Sequence, residues 1–350
     1  MNILIVKLSA IGDVVHTLPS LSALRRLYPS AKITWVIEET AADLIVGNPY
    51  LHRVIISRRK KWFHELKKGN FSVVNSIKQF IGELRREHFD LVIDFHGLFK
   101  SAMLVFLSRA TIKLGYDSMQ ELSGLFLTHK VYEDKGKHAV CRYLDLVRYL
   151  VDMNIGKPRR DVLLEDEKAE FPIPVGKEEE EKIKALMAEQ GLREGQFIAI
   201  SPHALWATKL WEAEKFARLA GMIYREIGLD VVFTGAHTYE TKDIIERLTI
   251  PFVDLTGKTS LKELALLFRK ARAVISTDSG PMHIAAAMKT PVVALFGPTD
   301  PKRTGPYGNN NAVVTADISC RPCFLKRCEK KTCMHLLTER DVVDALKRVL

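Results

Sequence analysis

Met1-Asn2-Ile3-Leu4-Ile5-Val6-Lys7-Leu8-Ser9-Ala10-Ile11-Gly12-Asp13-Val14-Val15-His16-Thr17 opens the chain and changes period part-way along. The apolar run over residues 3–6 is short and unbroken, which suits a strand buried on both faces. Beyond the loop, Val14, Val15, Leu18, Leu21, Leu24 and Leu27 recur every three or four residues, the period of a helix with one apolar face. Strand, small-residue loop and helix in that order begin a parallel βαβ unit. Pro19 falls inside the helical period, where a proline removes a hydrogen bond and clashes with the preceding turn, so a kink or a restart is expected there.

The same alternation of short β-rich runs and longer helical periods continues along the chain, the pattern of an α/β protein with parallel sheets. Strands are expected over residues 3–6, 33–37, 54–56 and 91–94, and again over 197–201, 231–234, 252–254, 273–276 and 292–296. Helices are expected between them, notably over 211–226 and 261–270. Residues 156–180 hold Pro158, Pro172, Pro174, Gly176 and the acidic run Glu178, Glu179, Glu180 and Glu181, with too little apolar periodicity for a core element. The expected division is a domain over 1–155, a linker over 156–180, and a domain over 181–350 that carries a C-terminal cysteine cluster and helix. The acidic run itself is read as the solvated first turn of a helix. Two doubly wound halves imply a cleft between them, with ligands at the carboxyl ends of the strands.

Of the 350 residues 47% are apolar and 27% charged, which excludes a disordered chain. Lys and Arg number 52 against 42 Asp and Glu, and the resulting net charge of +10 favours an anionic partner. No apolar run approaches the roughly 18–20 residues of a bilayer span, so a transmembrane protein is not expected. The N-terminal run reaches Lys7 too early for a signal peptide, which points to a cytosolic chain with reduced thiols. A nucleic-acid-binding protein is the alternative from another class, suggested by the charge and by Arg321, Lys326, Arg327, Lys330 and Lys331. Dispersed basic residues and the lack of an RNA-binding aromatic motif weigh against it. A nicotinamide oxidoreductase shares the fold class, but the loop over 7–13 has one glycine where a dinucleotide fingerprint needs three.

Three loops carry candidate chemistry. The first delivers Asp13 to the mouth of the sheet, where it either stabilises the helix dipole or serves catalysis. In the second, Ser276-Thr277-Asp278-Ser279-Gly280-Pro281-Met282-His283 follows a strand and opens an Ala-rich helix. Asp278 or Ser279 can cap that helix, and the N–H groups of Ser279, Gly280 and Met282 can instead hold a phosphate at its positive end. His283 either packs against a carbonyl or joins that site. The third is Trp206-Ala207-Thr208-Lys209-Leu210-Trp211, where Thr208 offers a hydroxyl donor and Lys209 a mobile cation for a pyrophosphate. Gly297-Pro298-Thr299-Asp300-Pro301 adds turn chemistry to the same rim.

In combination, the loop over 7–13, Thr208-Lys209-x-Trp211, Thr277-Asp278-Ser279-Gly280-x-x-His283 and Gly297-Pro298-Thr299-Asp300 resemble glycosyltransferase family 9, over nearly the whole chain. The members meant are the ADP-heptose:lipopolysaccharide heptosyltransferases. The segments 94–102, beginning Asp94-Phe95-His96-Gly97, and His138-Ala139-Val140-x-Arg142 resemble the heptosyltransferase I branch. The resemblance implies a GT-B architecture, two Rossmann-like doubly wound domains around a cleft, with acceptor on the first and nucleotide sugar on the second. It implies inverting transfer of L-glycero-D-manno-heptose from ADP-heptose to Kdo of Kdo-lipid A, with a heptosyltransferase II-like addition of the second heptose as the alternative. Asp13 is then the catalytic base. Thr208, Lys209, Asp278, Ser279, Gly280, Met282 and His283 lie on ADP, and Glu240, after the Gly235-Ala236 turn, is the candidate at the ribose. Lys7, Ser9, Gly12, His96 and Arg142 belong to the acceptor side.

Arg58, Arg59, Lys60 and Lys61 follow an expected strand at its carboxyl end. They either bind the Kdo carboxylate and lipid A phosphates or solvate a loop, and Trp62-Phe63 beside them suits a lipid headgroup boundary. The implied enzyme is a monomer, cytoplasmic and peripheral on the inner membrane, and needs neither a cofactor nor a catalytic metal. Cys320, Cys323, Cys328 and Cys333, with His335 beyond, resemble heptosyltransferase II-like members instead. For these thiols a structural zinc, a disulfide or redox pair, and unligated cysteines all remain open.

Overall fold

Runs of Val, Ile and Leu make the strands, and both faces of those strands are covered. In the computed structural model, which describes residues 1–118, 120–121, 123–159, 161–162 and 164–350 (Glu167 as backbone alone), the chain divides into two units, Met1–Pro174 and Val175–Leu350. The first unit runs β1 (Asn2–Val6), α1 (Ile11–Leu27), β2 (Lys32–Glu38), α2 (Glu39–Ala42), β3 (Arg53–Ser57), α3 (Arg59–Lys67), α4 (Val73–Arg85), β4 (Leu91–Asp94), α5 (Phe99–Leu107), β5 (Ile112–Tyr116), β6 (His129–Val131) and α6 (Ala139–Asp152). Its strands are parallel in the order β3-β2-β1-β4-β5-β6. Right-handed crossovers that leave β1 leftwards and β4 rightwards put their helices on opposite faces. Accordingly α4 and α5 build one core with Leu4, Val6, Val36, Ile55 and Val92, whereas α1 packs on α6 in the other layer.

The second unit repeats this plan. It runs α7 (Lys177–Glu189), β7 (Phe197–Ser201), α8 (Ala213–Met222), β8 (Asp230–Phe233), α9 (Tyr239–Glu246), β9 (Val253–Asp254), α10 (Leu261–Lys270), β10 (Ala273–Thr277), α11 (Gly280–Ala287), β11 (Val292–Phe296), α12 (Pro301–Thr304), β12 (Asn311–Thr315), α13 (Thr332–His335) and α14 (Glu339–Val349). The parallel order is β12-β11-β10-β7-β8-β9, the same topology read from the other edge. In such sheets the strand order reverses once, between β1 and β4 here and between β7 and β10 there, and ligands bind beyond the carboxyl ends at that point.

Two differences from the sequence expectation have local causes. Helix α1 neither stops nor restarts at Pro19; it is one helix over Ile11–Leu27 with most of its residues buried, and burial on several sides holds a turn that propensity alone would break. Strands β5, β6 and β12 carry polar or exposed residues such as Lys113, Lys130 and Asn311, so they lack the unbroken apolar run that marks the central strands. The acidic run agrees with its reading as the first turn of a helix: Lys177, Glu178, Glu179 and Glu180 form the first turn of α7, where Glu179 Oε2 accepts the Gly176 N–H at 2.9 Å.

Candidate functional site

In the first unit, β1 and β4 deliver their next residues to one place. Lys7, directly after β1, is buried, and its Nζ donates to the Phe95 carbonyl at 2.9 Å and to the Tyr143 hydroxyl at 2.7 Å. Burial lowers the Lys7 pKa, while the carboxylates of Asp13 and Asp94 oppose that shift. Asp13 is in the first turn of α1, and its Oδ2 accepts the Ala10 N–H at 3.1 Å. Asp94 ends β4 buried, accepting the N–H groups of His96 at 2.8 Å and Gly97 at 3.1 Å and the Ser101 hydroxyl at 2.8 Å. These bonds fix the turn that presents His96. Burial, then the cations Lys7 and Lys100, push the His96 pKa down to about 3, so the ring is neutral at physiological pH.

Lys7, Asp13, His96 and Arg142 line one pocket of about 290 Å³, together with Gln120 and Glu133. Arg142, on α6, is paired there with Glu133, and the Tyr116 hydroxyl donates to its carbonyl at 2.6 Å. Gly12 is buried in the first turn of α1. Ser9 lies in the same loop, its hydroxyl accepting from Lys100 Nζ at 3.2 Å.

Arg58, Arg59, Lys60 and Lys61 do not line that pocket. Instead of a loop they form the entry into α3, whose first residue is Arg59. Arg59 and Lys60 reach the buried Glu38 carboxylate at 3.2 and 3.7 Å, joined by Lys100 at 3.4 Å, and Arg58 pairs with Glu39 at 3.1 Å. Arg58 and Lys61 border a separate pocket with Trp62 and Phe80. Glu38 is the reason for this grouping: a carboxylate at the end of β2 is tolerated in the interior because three cations surround it.

In the second unit the loops after β7, β8, β10 and β11 hold the corresponding candidates. Lys209 Nζ lies 2.6 Å from Asp278 Oδ2 and 4.5 Å from the centre of the Trp206 ring. Asp278 also accepts the Thr299 hydroxyl at 2.5 Å, so its side chain is turned away from capping α11. Ser279 occupies the N-cap position without a side-chain cap bond, and Pro281 stands in the first turn. Met282 and His283 are buried in α11. The Thr208 hydroxyl is not presented as a donor to a ligand; the Leu325 carbonyl lies 2.8 Å away and accepts it. Glu240, exposed in the first turn of α9, has its pKa lowered by backbone and Thr238 hydrogen bonds and by His203 from the loop after β7.

The cysteine segment is fastened to this rim. The N–H groups of Cys323 and Phe324 donate to the Pro298 carbonyl at 3.0 and 2.9 Å, and Arg321 donates to the carbonyls of Ala316, Gly297 and Thr299. None of the five cysteines is in a disulfide, and among the described residues no group of three or more His, Cys, Asp or Glu side chains is arranged to hold a metal ion. Burial, and then Cys323 and Cys320, raise the Cys333 pKa.

Against known proteins, the profile described as glycosyltransferase family 9 (heptosyltransferase) matches residues 77–334. The chain belongs to glycosyltransferase family 9. It is 30% identical to lipopolysaccharide heptosyltransferase 1 of Pseudomonas aeruginosa over 97% of this chain and 90% of that one. Identity to lipopolysaccharide heptosyltransferase 1 of Escherichia coli K12 is also 30%, covering 90% and 94% of the two chains. Among solved structures, the Escherichia coli heptosyltransferase WaaC with ADP superposes with a TM-score of 0.77 at 27% identity, covering 100% of both chains. The two Rossmann-like sheets are those of a GT-B glycosyltransferase. Within this family 9 chain, sequence reasoning did not single out Glu38, Gln120, Glu133 or Tyr143. Lys100 alone left a signal, because it lies inside the segment after Asp94 that carried the resemblance.

Proposed function

We propose that this family 9 glycosyltransferase moves L-glycero-D-manno-heptose from ADP-heptose onto Kdo of Kdo-lipid A, with inversion, in building the lipopolysaccharide inner core. The observation that carries the reading is the matched placement of polar groups at both switch points. Lys7 and Asp13 follow β1 in one sheet, and the Lys209–Asp278 pair follows β7 and β10 in the other. Two relatives similar over most of their length bear the name heptosyltransferase 1, and the WaaC structure contains ADP.

In the reaction an acceptor hydroxyl oxygen bonds to the anomeric carbon as the bond from that carbon to the ADP oxygen breaks. The electron pair leaves with ADP, and the hydroxyl proton passes to the Asp13 carboxylate. Lys7 stands beside this base, and His96 and Arg142 orient the Kdo sugar. Gly12, in the first turn of α1, puts no side chain next to Asp13, and Ser9 holds Lys100 at the rim. On the donor side Lys209 balances the charge that develops on the leaving phosphates while Asp278 and Thr299 fix the direction of its ammonium group. The N–H groups of Ser279, Gly280 and Met282 face the pyrophosphate, with His283 behind them, and Glu240 takes the ribose hydroxyls. Thr208 acts through Leu325 by holding the cysteine segment in place. Arg58, Arg59, Lys60 and Lys61 bind the phosphates of lipid A from outside the sugar pocket. No step passes through a metal, and the cysteines are outside the chemistry. The enzyme works as a peripheral protein at the bilayer that carries its acceptor; no helix of the described residues is long and apolar enough to cross a membrane.

Titration calorimetry tests the donor half of this reading. ADP should bind with a stoichiometry near one, while NAD and a single-stranded RNA produce no saturable heat. Saturable binding of NAD or RNA in place of ADP would overturn it.

A further inference from the structure

We infer that the layer made by α3, α4, α5 and the 3₁₀ turn Ser123–Phe126 is the face by which this chain docks on an anionic lipid bilayer. The inference rests on the reading above that the acceptor is anchored in lipid. Phe63, Phe71, Phe99, Met103, Phe106 and Leu125 all lie in this layer or at its helix ends and are exposed, Phe71 by 72% and Leu125 by 73%. Four of the five exposed phenylalanines among the described residues are in this group. Along α5, Phe99, Met103 and Phe106 fall on one stripe by their spacing of four and three, while Ala102 and Val105 face the core. The Phe106 and Phe126 rings meet at a tilt with their centres 5.2 Å apart, which continues the stripe towards Leu125. The opposite layer of the same sheet has no such surface: α1 is buried almost throughout, and at the end of α6 only Met153 is an exposed large apolar residue. An apolar patch of this extent on one face of a water-facing layer marks an interaction surface.

The charges around the patch select lipid. Lys67 Nζ sits 4.6 Å above the Phe63 ring, Lys130 Nζ lies beside Gly124, and Arg109 follows α5. Among the described residues none of these three cations has a carboxylate within 4.0 Å, unlike Arg59 and Lys60, which are drawn to Glu38. A two-fold contact with a second copy would face this patch with itself and bring unpaired cations together. A bilayer surface supplies phosphates to the cations and an interfacial zone to the aromatic rings, the arrangement that holds amphipathic surfaces at a membrane. The stripe begins at Phe99, two residues after Gly97 of the sugar pocket, so docking along it brings a lipid-anchored sugar to that pocket.

Co-sedimentation with vesicles of phosphatidylethanolamine and phosphatidylglycerol, with phosphatidylcholine vesicles as the uncharged comparison, tests this face. The unaltered chain should partition to the anionic vesicles and be released by added salt. The triple variant Met103→Ser, Phe106→Ser, Leu125→Ser should lose about tenfold in partition, and Lys67→Glu with Lys130→Glu, both exposed, should do the same. Both variants should keep the rate of transfer to a deacylated, water-soluble acceptor and lose about tenfold with acceptor embedded in vesicles. Unaltered partition of both variants, no binding of the unaltered chain to anionic vesicles, or lipid-free dimerisation that the triple variant abolishes would each overturn the inference. If the chain binds vesicles through these residues yet transfers no heptose to the soluble acceptor, the docking face stands and the proposed reaction falls.

Discussion

Asp13 accepts the Ala10 N–H and lines the pocket that also holds Lys7 and His96, so helix entry and proton acceptance are both open to its carboxylate. Asn in its place keeps the shape and removes the basicity. Asp13→Asn should therefore lower turnover by roughly 10²–10⁴-fold and leave ADP affinity nearly unchanged, as steady-state kinetics and calorimetry would read. Wild-type turnover would return Asp13 to the helix dipole alone. For Lys209, loss of the ammonium removes a charge-assisted contact to phosphate, and Lys209→Ala should weaken ADP binding by about 1–3 kcal/mol. An unchanged titration would place the nucleotide elsewhere. His96 makes a prediction about stability. Its pKa is 6.5 ordinarily and about 3 in the folded chain, so protons bind the unfolded state preferentially, and stability falls as pH drops below 6.5 and continues falling towards 3. Between pH 7 and pH 5 this amounts to at most about 2 kcal/mol, and urea unfolding of His96→Gln should show a shallower decline over that window. Equal slopes for the two proteins would mean that His96 protonates freely when folded.

At the scale of elements, the strands at the centre of each sheet were legible because burial on both faces demands an unbroken apolar run, as in Ile3-Leu4-Ile5-Val6 and Val292-Val293-Ala294-Leu295-Phe296. Strands β5 and β6 were not, since residues such as Lys113 and Lys130 interrupt their runs. The restart that Pro19 suggested does not occur, for a related reason: local propensity weighs against a helix there, while the packing that overrides it comes from residues far along the chain. The loops after β1, β7 and β10 could be found from short motifs, but the partners that orient them could not. Glu38 gathers Arg59, Lys60 and Lys100 from distant segments, and Leu325 takes the Thr208 hydroxyl across 117 positions. That last bond, with those from Cys323 and Phe324 to Pro298, ties the cysteine segment to the donor rim as a mechanical support. Chelation with EDTA should accordingly leave the initial rate intact, whatever it does to the melting temperature. Immediate loss of activity that added divalent ion restores would contradict this.

The two units carry the same sheet order, and each sets its candidate residues at the point where that order reverses. Fold and family were therefore readable from strand pattern and loop motifs together, whereas the grouping of Lys7, Asp13, His96 and Arg142 into one pocket needed the three-dimensional path of β1, β4 and α6. The pocket also separates residues that the sequence had grouped together: Lys7, Asp13, His96 and Arg142 line it, and the cations at the start of α3 stand apart from it. On the proposed reading Arg142, which is paired with Glu133 here, meets the carboxylate of Kdo, a group that a heptose lacks. The decisive measurement is a transfer assay with purified protein, ADP-heptose and Kdo-lipid A carrying no heptose, one heptose or two, read by mass spectrometry of the product. Addition of a single heptose to the acceptor that carries none, with the other two left unchanged, is the predicted result; transfer only to the acceptor that already carries a heptose, or to none of the three, would contradict it.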